Sequence, residues 1–346
     1  MSWGGSRSGS GAKPRYSAMG QTQAQRQQRW RFLRRWEEQS PDGDVQHGRP
    51  HMQRLGLSPL QVPGAKGWLT PWFRRYLSCF RRPKLFLEVF AGSAIVGLTM
   101  LVEERVPRLL LVERDEDFVA VWQTVLGSEA SWLTTRILHL APRRDTIGAL
   151  LAQTPQCRRE QAFQTLVKTW CYHRARLTKG FGLLPNHPSQ PGRAAIATAW
   201  QPAKLVASIR ILHDLRRRIT VVHGCGIEVL AAHAARHDVF TYADPPYPTA
   251  GKRMYIHSAI DVPALLTQCQ QAQGPVVVSC EDQADVTQGA RARGLDVMPV
   301  YMHAGTNQQM REVLMANRPL PAEPLTGHEA AVPATEQGQF FAAADQ

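Results

Sequence analysis

The chain has 346 residues, 43% of them hydrophobic and 8% aromatic, which is ordinary globular content, enough for one large α/β core plus an insertion. A formal net charge of +13 suits a polyanionic partner, with plain solubility as the weaker explanation. No stretch approaches the roughly 18 apolar residues of a membrane helix, and Cys79, Cys157, Cys171, Cys225, Cys269 and Cys280 show neither Cys-x-x-Cys pairing nor metal spacing with histidine, so reduced thiols and no metal are expected.

Residues 1–50 are rich in Gly, Ser, Gln and Arg and are expected to form a basic, largely disordered extension. Within them Trp30, Phe32, Leu33 and Trp36 alternate with Arg26, Arg29, Arg31, Arg34 and Arg35, a pattern for a short amphipathic helix. Such a segment suits either nucleic-acid contact or a solvated arm. The turn Gly64-Ala65-Lys66-Gly67-Trp68-Leu69 follows, where Lys66 is either a site cation or a turn charge, and Trp68 either covers a ligand or packs the first helix.

Leu85 to Phe90 predicts a short buried strand, and Ala91-Gly92-Ser93-Ala94 a small-residue turn before an apolar helix from Ile95 to Val102. Strand, small turn and helix bring a nucleotide-like ligand against the backbone at the carboxyl edge of a sheet. With one glycine where the dinucleotide fingerprint has three, a pyrophosphate is not the natural guest. The next strand, Leu109 to Val112, ends in Glu113-Arg114-Asp115, and an acidic residue at this tip is where a ribose diol would bind, Glu113 being the better placed. Singly, each piece also fits an ordinary βα turn or a solvated charge.

From 127 to 218 the sequence predicts a helical insertion dense in arginine and lysine, including Arg174, Lys179 and the run Arg216-Arg217-Arg218. Trp170, Tyr172, Phe181 and Trp200 among those cations suit either base contact or a helix core. Further strands are expected at Ile219 to His223, Val239 to Ala243, Pro275 to Cys280, Val297 to Met302 and Glu312 to Met315, for a total of seven. Residues 319–346 turn to Ala, Pro, Glu and Gln and predict a disordered tail.

Asp244-Pro245-Pro246-Tyr247, at the end of the fourth of these strands, is the most informative tetrapeptide. Proline fixes φ and lacks an N–H, and a residue before proline is extended, so the carbonyls of Asp244 and Pro245 are aimed in set directions. With the Asp244 carboxylate they can accept from an exocyclic amine, and Tyr247 offers a stacking face for a base, worth roughly 1–3 kcal/mol. The alternative is a proline-rich turn with no ligand.

The ordered set formed by Gly64 to Leu69, Glu88-Val89-Phe90-Ala91-Gly92-Ser93-Ala94, the acidic tip at Glu113, Asp244 to Tyr247 and Arg311-Glu312-Val313-Leu314-Met315-Ala316-Asn317 resembles the Dam-type adenine-N6 DNA methyltransferases over roughly residues 60–317. Val89 stands where that family usually has proline. Cys225 or Gly226 stands where an acidic residue commonly precedes a Leu-Glu-Val-like run. The resemblance implies an α/β, Rossmann-like, seven-stranded core that uses S-adenosylmethionine (AdoMet), with the core in 51–126 and 219–318 and target recognition by the 127–218 insertion. It implies Lys66, Trp68, Glu88, Phe90, Ala91, Gly92, Ser93, Glu113 and Asp115 as cofactor-binding residues, and Asp244, Pro245, Pro246 and Tyr247 as the catalytic grip on a flipped adenine. Arg174, Lys179, Arg216, Arg217 and Arg218 are the expected nucleic-acid contacts. The expected partner is double-stranded DNA, or structured RNA, with no membrane and a monomer or weak dimer. The segment Met1 to Ser6 has no apolar signal core, which sets a cytoplasmic, nucleoid-associated location as the expectation. Ribosomal RNA adenine methylation, cytosine-N4 methylation and a binding-only homologue remain alternatives.

Overall fold

A computed structural model describes residues 56–173, 182–189, 194–247, 259–303 and 309–321. The first fifty residues, the outer C-terminal tail, Arg174, Lys179 and Phe181 lie outside the described residues.

Seven strands form one sheet: β1 Leu85–Val89, β2 Leu109–Glu113, β3 Ile219–His223, β4 Val239–Ala243, β5 Val276–Glu281, β6 Asp296–His303 and β7 Gln309–Ala316. Their order is β3-β2-β1-β4-β5-β7-β6. The strands from β3 to β5 run parallel and β7 lies antiparallel between β5 and β6. This is a Rossmann-like α/β fold. Near-continuous apolar runs such as Leu109-Leu110-Leu111-Val112 suit strands covered on both faces, and all of β2 and β4 is buried.

The pleat separates the strand side chains into two cores. Phe86, Leu111, Phe240 and Tyr242 face one side, while Leu87, Val89, Val112 and Val278 face the other. On the first side pack α1 (Thr70–Ser78), α2 (Ile95–Val102) and α3 (Glu116–Leu126). On the second lie α9 (Gly226–His233), α10 (Val262–Gln271) and α11 (Ala284–Ala292).

Between α3 and β3 the chain forms α4 (Ala130–His139), α5 (Arg144–Leu151), α6 (Arg158–Cys171), α7 (Ile196–Ala199) and α8 (Pro202–Asp214). Their apolar faces join the first core through Leu133, Ile137, Phe163, Leu166, Ile209 and Leu212. Trp170 and Trp200 are buried in it at 6.4 Å, edge to face. The Trp170 indole N–H donates to Pro59 O at 2.8 Å, so these two rings are packing groups and not a surface for bases. Among the described residues no helix is long and apolar enough to cross a membrane.

Strand order fixes where a site can form. The chain steps outward from β1 through β2 to β3, then returns to place β4 on the other side of β1. Loops leaving β1 and β4 therefore diverge and open a crevice at the carboxyl edge. In register Val89 sits beside Ala243, so the turn after Val89 and the Asp-Pro-Pro-Tyr segment after Ala243 leave the sheet side by side.

Candidate functional site

A cleft opens at this crevice, enclosing about 840 Å³ out to open solvent. Of the expected cofactor-binding residues, Lys66, Glu88, Phe90, Ala91, Gly92, Ser93, Glu113 and Asp115 line it, and so do Asp244 and Pro246. Trp68, Pro245 and Tyr247 are not among its lining residues. Trp68 is half-buried against the first core, which agrees with packing of the first helix.

The turn after β1 is tightly built. Phe90 and Ala94 have φ of 61° and 51°, unusual for residues with a Cβ, and Gly92, at φ +47°, takes a left-handed position that glycine adopts without that strain. Glu113 holds the turn shut: its carboxylate accepts from Gly92 N at 2.8 Å, Arg114 N at 2.8 Å and Asp115 N at 2.9 Å. The Trp122 indole donates to Gly92 O at 3.3 Å. Asp115 caps α3 by accepting from Asp117 N and Phe118 N. Both acidic residues at the second strand tip thus shape the backbone of the cleft wall, a role that the sequence pattern did not distinguish from direct ligand contact.

Glu88 projects from β1 into the same space and is buried. It accepts from Gly97 N at 2.7 Å in the first turns of α2. Glycine leaves room for this contact, since a Cβ would stand 2.4 Å from the Glu88 carboxylate and force it to shift. Burial pushes the Glu88 carboxyl up to about 8, the Gly97 N–H pulling it down and the Asp244 charge pushing it further up.

The folded chain therefore keeps this proton to about pH 8, while the unfolded chain releases it in the ordinary carboxylate range. The associated stability is full below that ordinary range and is lost as pH rises toward 8. Glu88→Gln keeps an oxygen for Gly97 and has no proton to release. It is expected to flatten the stability–pH curve across that window by roughly a few kcal/mol, measured by urea unfolding at several pH values. An unchanged slope would mean that Glu88 is ionised in the folded chain.

Around Asp244 the side chains converge from four parts of the sequence. The Asp244 Oδ1 accepts from Ser279 Oγ at 2.6 Å, and Ser279 is linked in turn to Tyr242 OH at 2.8 Å. The Oδ2 lies 3.2 Å from Lys66 Nζ. Lys66 donates to Gly64 O at 2.8 Å, stands 3.8 Å from Glu312 Oε1, and lies 5.0 Å from the centre of the Tyr247 ring. Tyr247 OH donates to Glu312 Oε1 at 2.5 Å. Asp244 is the partly open member, with a side chain 24% exposed against 3% for Lys66 and 2% for Glu312.

Burial by itself would lower the Lys66 ammonium, but the charges of Asp244 and Glu312 outweigh it and hold it above its ordinary value. Burial pushes Glu312 up, against the pull of Lys66. Tyr247 is buried, and burial and the neighbouring carboxylates raise its phenol well above its ordinary value. Its ring lies beneath Lys66 and its hydroxyl is committed to Glu312, so it is not displayed as an open stacking platform.

The arginine run is placed elsewhere. Arg216–Arg218 form a single 3₁₀ turn just before β3, at the amino edge of the parallel strands. One five-residue strand separates that edge from the cleft edge, roughly 15 Å. Arg218 donates to Pro107 O and Val106 O, and Arg216 to His213 O. The run thus braces the amino edge of the sheet and does not share a face with Asp244. Glu312 was legible only as part of a last strand; its side chain, like those of Ser279 and Tyr242, is a site member that sequence reading did not assign. Among the described residues no group of three or more His, Cys, Asp or Glu could hold a metal ion.

No family model matches the sequence, and no curated protein matches it. Among solved structures, a precorrin-6y C5,15-methyltransferase from Geobacter metallireducens GS-15 superposes over 68% of this chain and 80% of its own, at 9% identity and a TM-score of 0.30. So loose a superposition decides nothing about function, and the seven-strand order is what defines the fold.

Proposed function

We propose that the chain is an AdoMet-dependent methyltransferase acting on the exocyclic amine of adenine in DNA. The observation that carries this reading is Asp244: a partly exposed carboxylate on the cleft, at the crevice between β1 and β4, oriented by Ser279 on one oxygen and Lys66 on the other.

The cleft chemistry fits AdoMet better than a phosphate cofactor. Glu113 and Asp115 line it together with Phe90, Ile95, Val96 and Phe118, an acidic and apolar lining suited to a cation bearing a flat ring. A pyrophosphate would meet those carboxylates with a single-glycine turn to receive it. AdoMet, when bound, supplies a methyl group on a sulfonium, whose positive charge is lost on transfer. The chain's own task is to hold an amine nitrogen in line and draw on its hydrogens, so positioning and fixed charge do most of the catalysis. Asp244 and the Pro245 carbonyl are the acceptors in this reading. Inside a duplex the amine is stacked, so a duplex substrate requires base flipping at a cost of a few kcal/mol.

Calorimetry with AdoMet and its demethylated product tests the cofactor, and long-read detection of modified bases in DNA and RNA from expressing cells tests the acceptor. The expected result is binding of both ligands and N6-methyladenine at a defined DNA sequence, absent from an Asp244→Ala control. Methylation confined to ribosomal RNA would redirect the acceptor to RNA. A folded chain that binds neither ligand would end the enzyme reading.

A further inference from the structure

Glu312 lies on β7, its side chain almost wholly buried, and its two oxygens are treated differently. Oε1 receives the Tyr247 hydroxyl. Oε2 is buried with no hydrogen-bond partner among the described residues. A carboxylate oxygen in that condition loses its hydration without replacement, which is costly and uncommon. Nearby, the Lys66 ammonium has three donors. One is on Gly64 O at 2.8 Å, and Asp244 Oδ2 lies 3.2 Å away, whereas Glu312 Oε1 is 3.8 Å away, beyond hydrogen-bond range. One buried cation is therefore held between two carboxylates, close to the exposed one and short of the buried one.

We infer that Glu312 is a positioning residue that takes Lys66 over from Asp244 when an amine docks on Asp244. The inference rests on the reading of Asp244 as an amine acceptor. An incoming N–H meets Oδ1 already accepting from Ser279 and Oδ2 facing Lys66, whose positive charge repels an amine that gains positive charge on methylation. A shift of the ammonium by less than an ångström brings Glu312 Oε1 into hydrogen-bond range, a move that weakens its hold on Asp244 and adds a charged donor to a buried carboxylate whose one hydrogen bond comes from Tyr247. With Glu312 neutral, the ammonium has Asp244 as its one close anion and stays there as a competitor of the amine.

The other titratable groups around Glu312 do not replace it. Glu281, its cross-strand partner on β5, is a second acid. Burial pushes Cys280 up to about 12, and burial raises Tyr242 well above its ordinary value, so both are neutral at physiological pH. Lys66 is the cation that holds Glu312 down against its burial.

The test compares the full wild-type chain with Glu312→Gln, which keeps an acceptor for Tyr247 and loses the charge, and with Glu312→Asp, which keeps the charge. AdoMet affinity serves as the check of folding and is expected to stay near wild type in both variants. Single-turnover methyl transfer to an adenine-containing duplex is expected to fall about tenfold or more in Glu312→Gln and to recover in part in Glu312→Asp. Without any ligand, side-chain NMR of ¹³C-labelled lysine, assigned with Lys66→Arg, should show Lys66 losing its proton at lower pH in Glu312→Gln than in wild type. Transfer at the wild-type rate in Glu312→Gln overturns the inference. If wild type itself methylates no nucleic acid, the function reading fails and the handover with it, whereas an unmoved Lys66 signal beside an active wild type overturns the Glu312–Lys66 link alone.

Discussion

Asp244→Ala is expected to bind AdoMet about as tightly as wild type while methyl transfer falls by about 10²–10³-fold or more. Its carboxylate lies on the rim of the cleft and makes its bonds to Ser279 and Lys66, so its removal leaves the Gly92 turn and the Glu113 clamp intact. The lost acceptor matters most as positive charge builds on the amine, and the effect therefore falls on the rate and not on cofactor affinity. Tritiated AdoMet in a single-turnover assay separates the two. A near-wild-type rate in Asp244→Ala would place the active site elsewhere, whatever the motif suggests.

Lys66→Met should produce the largest change in stability, roughly 3–5 kcal/mol at neutral pH, because it leaves Asp244 and Glu312 as neighbouring carboxylates without their buried counter-charge. The loss should depend on pH in a definite direction. Burial already raises Glu312, and Lys66 is the largest influence pulling it back down. Without that cation the folded carboxyl rises further above its unfolded value, so its stability contribution is full in acid and is lost as pH rises through the folded value. The gap between wild type and Lys66→Met should narrow below the ordinary carboxylate range and widen toward neutrality, read from urea unfolding across pH. A gap of equal size at every pH would mean that Lys66 acts by packing and not by charge.

Much of the frame is legible from local pattern. Leu109 to Val112, Ile219 to His223 and Val239 to Ala243 announce themselves as strands by continuous β-rich apolar character, and the helix from Ile95 to Val102 by a long apolar run after small residues. Each appears at those bounds or within one residue of them. The placing of Asp244 at a strand tip is likewise a local fact, because a proline pair ends the strand that precedes it.

What depends on tertiary structure is which strand tips meet. Tyr247 and Glu312 are 65 positions apart, and they touch because β7 inserts antiparallel beside β5, a pairing that no short window of sequence encodes. The same holds for Trp170 and Trp200, whose aromatic rings suit a base-contacting surface equally well until helix packing buries them. Arg216 to Arg218 look like phosphate contacts by composition, yet parallel pairing puts the start of β3 at the edge opposite the cleft. Periodicity and turn residues act over a few positions and set the elements, whereas strand order and register, decided by burial of both sheet faces at once, set which charges share a site.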